Sequence, residues 1–291
     1  MRKFIIDCDP GIDDAVALVL AAGSDGHFLA ITTVGGNVGL DLTTANALAL
    51  REFLALDVPV IRGTSADAVD AAHVHGASGL GGALLPPAVR PADPGQAADF
   101  IVSSLRAAPG EITLVAVGPL TNLAHAVRLE PRIAEWARDL VVMGGTYGPG
   151  TEFNIRTDPA AAATVFGAGW TVTMVGLDIT RTAQVTTSVL ERMRGFGRLS
   201  EDLLLPAVQR YAPVTDTGGP ALHDAMALAH VLDPGLLTLV PASVTVDPSG
   251  ATLVDFEPGD RPNALVATAL DVERFWDLLI AAFGRAAARV A

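Results

Sequence analysis

The sequence predicts a single α/β domain built on an open, mostly parallel sheet, and three observations lead there. The first is residues 4–18, FIIDCDPGIDDAVAL. A strand-length apolar run (Phe4, Ile5, Ile6) meets a Pro-Gly break at Pro10 and Gly11, and then an Ala, Val and Leu run suited to a buried helix. The second is the alternation of short apolar runs with helix-length ones, the signature of βαβ units. The third is that glycines and polar residues recur where those strands end, at the edge where open α/β sheets bind their ligands. No linker, internal repeat or low-complexity tail divides residues 1–291, so one domain is expected.

Residues 4–18 also hold four carboxylates, Asp7, Asp9, Asp13 and Asp14. Period-two alternation puts Asp7 and Asp9 on one side of a strand end, and Asp13 and Asp14 fall where a helix starts. All four are therefore expected to converge near the carboxyl end of that strand. Charges so placed repel one another unless protons or a cation neutralise them, and a hard divalent cation with oxygen ligands fits best. In the plainer alternative, Asp13 and Asp14 merely sit against a helix dipole while the other two are solvated in the turn. Four acids within eight positions, directly after a buried strand, favour a functional cleft.

Taken in order, the first helix should end near Gly23, and residues 29–34 (LAITTV) read as a second strand running into Gly35, Gly36 and Asn37. Residues 41–56 have helical spacing, and 58–61 are short enough for a third buried strand. From 63 to 95 periodicity disappears, and loops this long usually bind or cover something. Within it, HVHGASGLGG (73–82) pairs His73 with His75. With no third soft ligand nearby, a mobile lid bringing His75 to a ligand is favoured over a zinc site. Residues 96–107 read as a helix and 111–117 as a strand, followed by Gly118, Pro119 and Leu120, with Thr121 or Asn122 starting the next helix. Residues 139–143 form a strand ending in Gly144 and Gly145. Glu152, Phe153 and Asn154 follow an irregular stretch, and Asp158 and Pro159 open an Ala-rich helix. Residues 170–175 supply a further strand, closed by Gly176, Leu177 and Asp178. Two helices broken near 195–197 are expected within 186–210, then a turn-rich 212–220. His223 and Asp224 begin a helix there, either as a cap or as the wall of an active site. Residues 236–269 read as strands with turns at 247–250 and 257–261, and 272–290 as a closing helix.

Hydrophobic residues make up 50% of the chain, enough for a sizeable core. No uncharged apolar stretch approaches the roughly 18 to 20 residues of a membrane span. The opening MRKFIIDCDP reaches acidic strand chemistry within a few positions and does not read as a signal peptide, so a cytoplasmic location is expected. The formal charge of −13, from 19 basic and 32 acidic residues, argues against a nonspecific grip on nucleic acid. The single cysteine, Cys8, lies between aspartates that disfavour its thiolate and reads as a packing residue.

Seven motifs occur in one order: DCDPGIDDAVAL (7–18), GGN (35–37), HGASGL (75–80), GPLTNLA (118–124), MGG (143–145), EFNI (152–155) and HDA (223–225). Together they resemble the nucleoside hydrolases that prefer inosine or uridine, over essentially the whole length, and an ordered set is far more specific than any lone glycine pattern. The resemblance implies an open, mostly parallel mixed sheet with helices on both faces. It also implies hydrolysis of the N-glycosidic bond of ribonucleosides to ribose and free base, and a tightly held calcium ion (Ca2+).

Carried over position by position, the resemblance makes Asp9, Asp14, Asp224 and the backbone carbonyl of Val117 calcium ligands. Asp13, Asn37 and Asn154 would hold the ribose hydroxyls, Glu152 would lie toward the 5′ end, and His223 and His75 near the base. Asp9 and His223 are the expected catalytic residues. Asp9 would accept the proton of an oriented water, and His223 would help the base depart. The expected partner is a small-molecule ribonucleoside, with no nucleic acid and no membrane, and the expected assembly is a homodimer or homotetramer. Residues 146–151 (TYGPGT) are shorter than usual in the family and lack its Asn, so either Tyr147 or Thr151 replaces that contact or the 5′ position differs. Residues 211–223 are longer than in pyrimidine-selective members, so base preference does not carry over.

Two other readings compete. An aspartyl phosphotransferase would use the first aspartate of Asp-x-Asp to attack phosphorus with magnesium, but the sequence offers no clear phosphate-binding lysine or Gly-rich cradle. A nucleoside-binding or sensing protein of the same fold would have little turnover, which the joint presence of Asp9 and His223 opposes.

Overall fold

Period-two alternation along the first strand, β1 (Lys3–Cys8), sends Phe4, Ile6 and Cys8 to one face and Ile5 to the other, and both faces are buried. A strand covered on both sides belongs at the centre of a sheet with helices above and below, and this is where the computed structural model places it. The structure describes residues 2–65, 71–83, 85–259 and 262–290.

The other strands are β2 (His27–Gly35), β3 (Val60–Ser65), β4 (Ile112–Ala116), β5 (Asp139–Met143), β6 (Val172–Val175), β7 (Leu237–Val246), β8 (Thr252–Asp255) and β9 (Ala264–Leu270). They form one nine-stranded sheet in the order β3-β2-β1-β4-β5-β6-β9-β7-β8. Every pairing from β3 through to β9 is parallel, and β7 joins β9 and β8 antiparallel. The expected open, mostly parallel mixed sheet is therefore correct. The chain leaves β1 toward β2 and β3, then returns to lay β4 on the other side of β1. That reversal opens a crevice outside the carboxyl ends of β1 and β4, the place where doubly wound sheets bind ligands.

Helices Ile12–Ala22, His223–Leu232 and Val272–Ala287 cover one face, and Ala97–Ala107, Thr121–Leu129 and Pro159–Phe166 the other. Every residue of Ile12–Ala22 is buried, which accounts for its nearly continuous apolar sequence. Among the described residues no helix is long and apolar enough to cross a membrane.

Several elements depart from expectation. The 41–56 helix is Leu40–Phe53, because Ala55 turns into the left-handed region (φ 47°) just beyond its end. The third strand runs on through Gly63 to Ser65, beyond the expected 58–61, so the long loop begins later and contains the one-turn helix Ala72–His75. Part of that loop, and the end of the expected 257–261 turn, lie outside the described residues. The expected helices within 186–210 are Thr187–Met193 and a wide helical turn, Leu199–Leu204, that continues as Leu205–Tyr211. One-turn helices Phe153–Thr157 and Leu177–Thr180 are too short to leave a periodic trace in sequence.

The loop returning toward β4 is tied to the sheet edge by Arg51, whose side chain is 1% exposed. Its guanidinium donates to the Arg90 carbonyl (2.7 Å) and pairs with Asp93 (3.4 Å), whose Oδ2 also accepts the Val60 N–H (2.9 Å). Arg51→Met should therefore destabilise the fold by about 1 to 2 kcal/mol, since it removes the donor to the Arg90 carbonyl and half of a partly exposed ion pair with Asp93. A lower urea midpoint at unchanged slope would show this, and an unchanged midpoint would refute it.

Candidate active site

The crevice beyond β1 and β4 is a cleft of about 340 Å³. Asp13, Asn37, His75 and Val117 line it, and Glu152, Asn154, His223 and Asp224 line it from the other elements. Asp9 and Asp14 are fully buried beside it. The residues expected from sequence are thus brought together, although they span positions 9 to 224.

The turn after β1 does most of the local assembly. Asp14 Oδ1 accepts the Asp9 N–H (3.1 Å), and its Oδ2 accepts the Gly11 N–H (2.9 Å) and Asn37 Nδ2 (3.0 Å). Asp9 Oδ2 accepts the Asn37 N–H (2.7 Å), whereas Asp9 Oδ1 is buried with no partner. A Cβ on Gly36 would lie 2.2 Å from Asp9 Oδ2, and one on Gly118 2.6 Å from Oδ1. Glycine at both positions is what lets the loops after β2 and β4 close on this carboxylate.

Asp13, Asp14 and Asp224 present carboxylate oxygens within 4.8 Å of one another. Asp13 and Asp14 occupy the first turn of Ile12–Ala22, and Asp224 the first turn of His223–Leu232, so two positive helix ends face the cluster. Burial nevertheless dominates their acidity. It raises Asp13 to about 7 and Asp14 to about 6, and it pushes Asp9 and Asp224 well up, with neighbouring carboxylates adding to the shift. A donor set made only of oxygens, together with the unpartnered Asp9 Oδ1, fits a hard divalent cation.

The side chains of Asn154 and Glu152 are held by backbone. Asn154 Nδ2 donates to the carbonyls of Val117 (2.9 Å) and Met143 (3.2 Å), which leaves its Oδ1 for a ligand. Glu152 caps the Phe153–Thr157 helix, accepting N–H groups from Asn154 (2.9 Å), Ile155 (3.0 Å) and Gly145 (3.2 Å). Thr151 lines the cleft, but Tyr147 does not. Its ring packs edge-on against Phe256, 5.5 Å between centroids, so of the two expected replacement contacts only Thr151 is in place.

On the opposite wall, His75 Nδ1 accepts the Ile12 N–H (3.1 Å), an unsatisfied donor at the start of the first helix. His75 thus stands in the cleft wall, the position to which the expected lid would bring it. His73 also lines the cleft, but the cation-sized cluster among the described residues is made of aspartates, not of this histidine pair. His223 Nδ1 lies 2.7 Å from Thr180 Oγ1. Burial, then Arg181 and His75, pull His223 down to about 4, so its imidazole is neutral near pH 7. The ring of Tyr211 stands 5.8 Å from His75 and 6.4 Å from His223, and burial keeps its phenol protonated. Sequence reasoning missed both Thr180 and Tyr211. Neither sits in a motif, and only folding brings them to the histidines.

The expected convergence of all four early aspartates is also corrected. Alternation ends with β1 at Cys8, so Asp9 turns toward Asp14 while Asp7 stays within the sheet. Asp7 Oδ1 accepts Thr32 Oγ1 (2.5 Å) and Asn122 Nδ2 (2.8 Å), its Oδ2 has no partner, and burial raises it to about 7. A residue so enclosed cannot attack phosphorus, which removes the phosphotransferase reading. Cys8 is buried with its thiol pushed up by burial and by the surrounding aspartates, as expected of a packing residue.

A family model described as inosine-uridine preferring nucleoside hydrolase matches residues 4–277. The chain is 41% identical to the inosine-uridine preferring nucleoside hydrolase of Leishmania major, with 98% of each chain covered. It is 36% identical to a pyrimidine-specific ribonucleoside hydrolase of Escherichia coli, with 96% of each covered. Among solved structures, the purine-preferring ribonucleoside hydrolase from Gardnerella vaginalis superposes with a TM-score of 0.90 at 31% identity, covering 100% of both chains.

The raised carboxylates make cation binding pH-dependent. A carboxylate protonated in the free protein must lose its proton when the ion binds, and with Asp13 near 7 and Asp14 near 6 protons compete increasingly as pH falls through that window. Calcium affinity of the metal-stripped protein, read by titration calorimetry, should be about tenfold or more weaker at about pH 5.5 than at about pH 7.5. An affinity that does not change would count against this cluster as the site.

Proposed function

Because the chain belongs to the inosine-uridine preferring nucleoside hydrolase family, we propose that it hydrolyses ribonucleosides to ribose and free base with a calcium ion held by Asp9, Asp14, Asp224 and the Val117 carbonyl. The observation that carries this reading is the buried aspartate cluster at a cleft also lined by Asn37, Glu152, Asn154 and His223. Calcium, when bound, would neutralise the cluster and orient a water over it.

The chain's own residues supply the chemistry. Breaking the N-glycosidic bond builds positive charge on the ribosyl ring, so carboxylates fixed around that ring stabilise the transition state more than the neutral substrate. Asp9 has an oxygen with no protein partner and a basicity raised by burial, which suits it to take a proton from the attacking water. Asp13, together with Asn37 and Asn154, whose side-chain oxygens are left over from their backbone bonds, would receive the ribose hydroxyls. A substrate lacking one of those hydroxyls leaves a buried group unpaired, which disfavours deoxyribonucleosides. Glu152 would bound the 5′ end. His223 would assist the departing base as a neutral hydrogen-bond donor, with His75 beside it.

For the assembly we propose a cytoplasmic homodimer or homotetramer. The edge strand β8, with Leu253 57% exposed beside the Tyr147–Phe256 pair, offers an apolar surface for self-association.

A panel of nucleosides assayed for free ribose tests the activity. Inosine and uridine should both be tried, with and without chelator, and chelator should abolish release in a way that added calcium reverses. Replacing Asp9 by Asn should lower turnover by about 10² to 10⁴, the usual worth of general base action. Near-full activity in Asp9→Asn would overturn its assignment, and tight nucleoside binding without ribose release would convert the reading to a binding protein.

A further inference from the structure

We propose that Thr180 is a positioning residue which, through His223 Nδ1, holds the imidazole in the tautomer that presents an Nε2–H donor to the departing base. Thr180 is fully buried at the end of the one-turn helix Leu177–Thr180. Its hydroxyl lies 2.7 Å from His223 Nδ1 and has no other partner among the described residues. A buried hydroxyl that donates to nothing is strongly disfavoured, so the hydrogen points at Nδ1. Nδ1 is then an acceptor, and a neutral imidazole with a bare Nδ1 carries its proton on Nε2. That nitrogen has no partner within the described protein, and His223 lines the cleft.

The opposite tautomer fails on two counts. If Nδ1–H donated to Thr180, the hydroxyl hydrogen would be buried without an acceptor, and a bare Nε2 would face a base that gathers negative charge as its bond to ribose breaks. The second histidine is built the same way with a donor of fixed sense. His75 Nδ1 accepts a backbone N–H from Ile12, which also leaves Nε2 as its protonated nitrogen. One side-chain hydroxyl and one helix N-terminus thus set two imidazoles alike, both in contact with the Tyr211 ring.

The catalytic half of this inference rests on the ribonucleoside hydrolase reading, but the tautomer does not, so the test has two arms. Nitrogen-15 NMR of the His223 ring should show a bare Nδ1 and a protonated Nε2 in the wild-type protein. A protonated Nδ1 would overturn the proposal whether or not any nucleoside is cleaved. In the kinetic arm, Thr180→Val keeps the shape and removes the hydroxyl, and Thr180→Ser restores it. The Val variant should lose about tenfold or more in kcat/KM on inosine relative to its loss on p-nitrophenyl riboside, whose phenolate departs without a donor. The Ser variant should recover to within about threefold of wild type, as expected when the hydroxyl and not the methyl is what acts. Equal losses on both substrates, or no rescue by Ser, would return Thr180 to a packing role. Absence of turnover by the wild-type protein on either substrate would refute the activity and leave the NMR result standing on its own.

Discussion

The structure is organised around the desolvation of its carboxylates. Asp9, Asp13, Asp14 and Asp224 are removed from water within one small volume, and each is driven toward its protonated form by burial and by its neighbours. Such a cluster is unstable unless something offsets it. Two helix N-termini, the backbone N–H groups of Asp9, Gly11 and Asn37, and the Asn37 side chain all offer partial positive charge. They leave Asp9 Oδ1 unmatched, and a cation is the natural remainder.

Sheet topology explains why these partners meet. The reversal between β1 and β4 places the ends of neighbouring strands on opposite sides of one crevice, so the turn after β1, the Gly36–Asn37 loop and the Gly118 loop converge without long excursions. The helix carrying Asp224 packs against the helix carrying Asp13 and Asp14 on the same face of the sheet. Residues more than two hundred positions apart therefore share a rigid support, and precise charge placement depends on packing that leaves little freedom.

The two walls of the cleft follow different rules. On the wall carrying Glu152 and Asn154, side-chain polar atoms are bound to backbone, which fixes their orientation; under the proposed function this wall would receive the ribose. On the other wall, two imidazoles and a phenol form a half-aromatic surface, which under the proposed function would meet the flat ring of the base. In the proposed reaction the developing charge would fall between them, positive toward the carboxylates and negative toward the imidazoles.

Much of this was legible in sequence because the informative signals are local. The apolar run from Phe4 to Ile6, the Pro-Gly break and the following buried helix declare a strand, turn and helix with periodicities that no tertiary contact needs to supply. The ordered motifs placed Asp9, Asp14, Asn37, Asn154 and Asp224 in one cleft, and the fold brings them there. The failures have equally physical causes. Asp7 looked equivalent to Asp9 because alternation is blind to where a strand stops, and only the Thr32 and Asn122 bonds reveal that it lies inside the sheet. The partner of His75 was invisible because its loop has no period, and only the fold shows the Ile12 N–H that its Nδ1 accepts. Thr180 and Tyr211 carry no pattern of their own. Their roles exist only once β6 delivers one and the helix Leu205–Tyr211 delivers the other to the histidines, because a hydrogen bond or a ring contact between distant residues is written in the packing and not in the order of the chain.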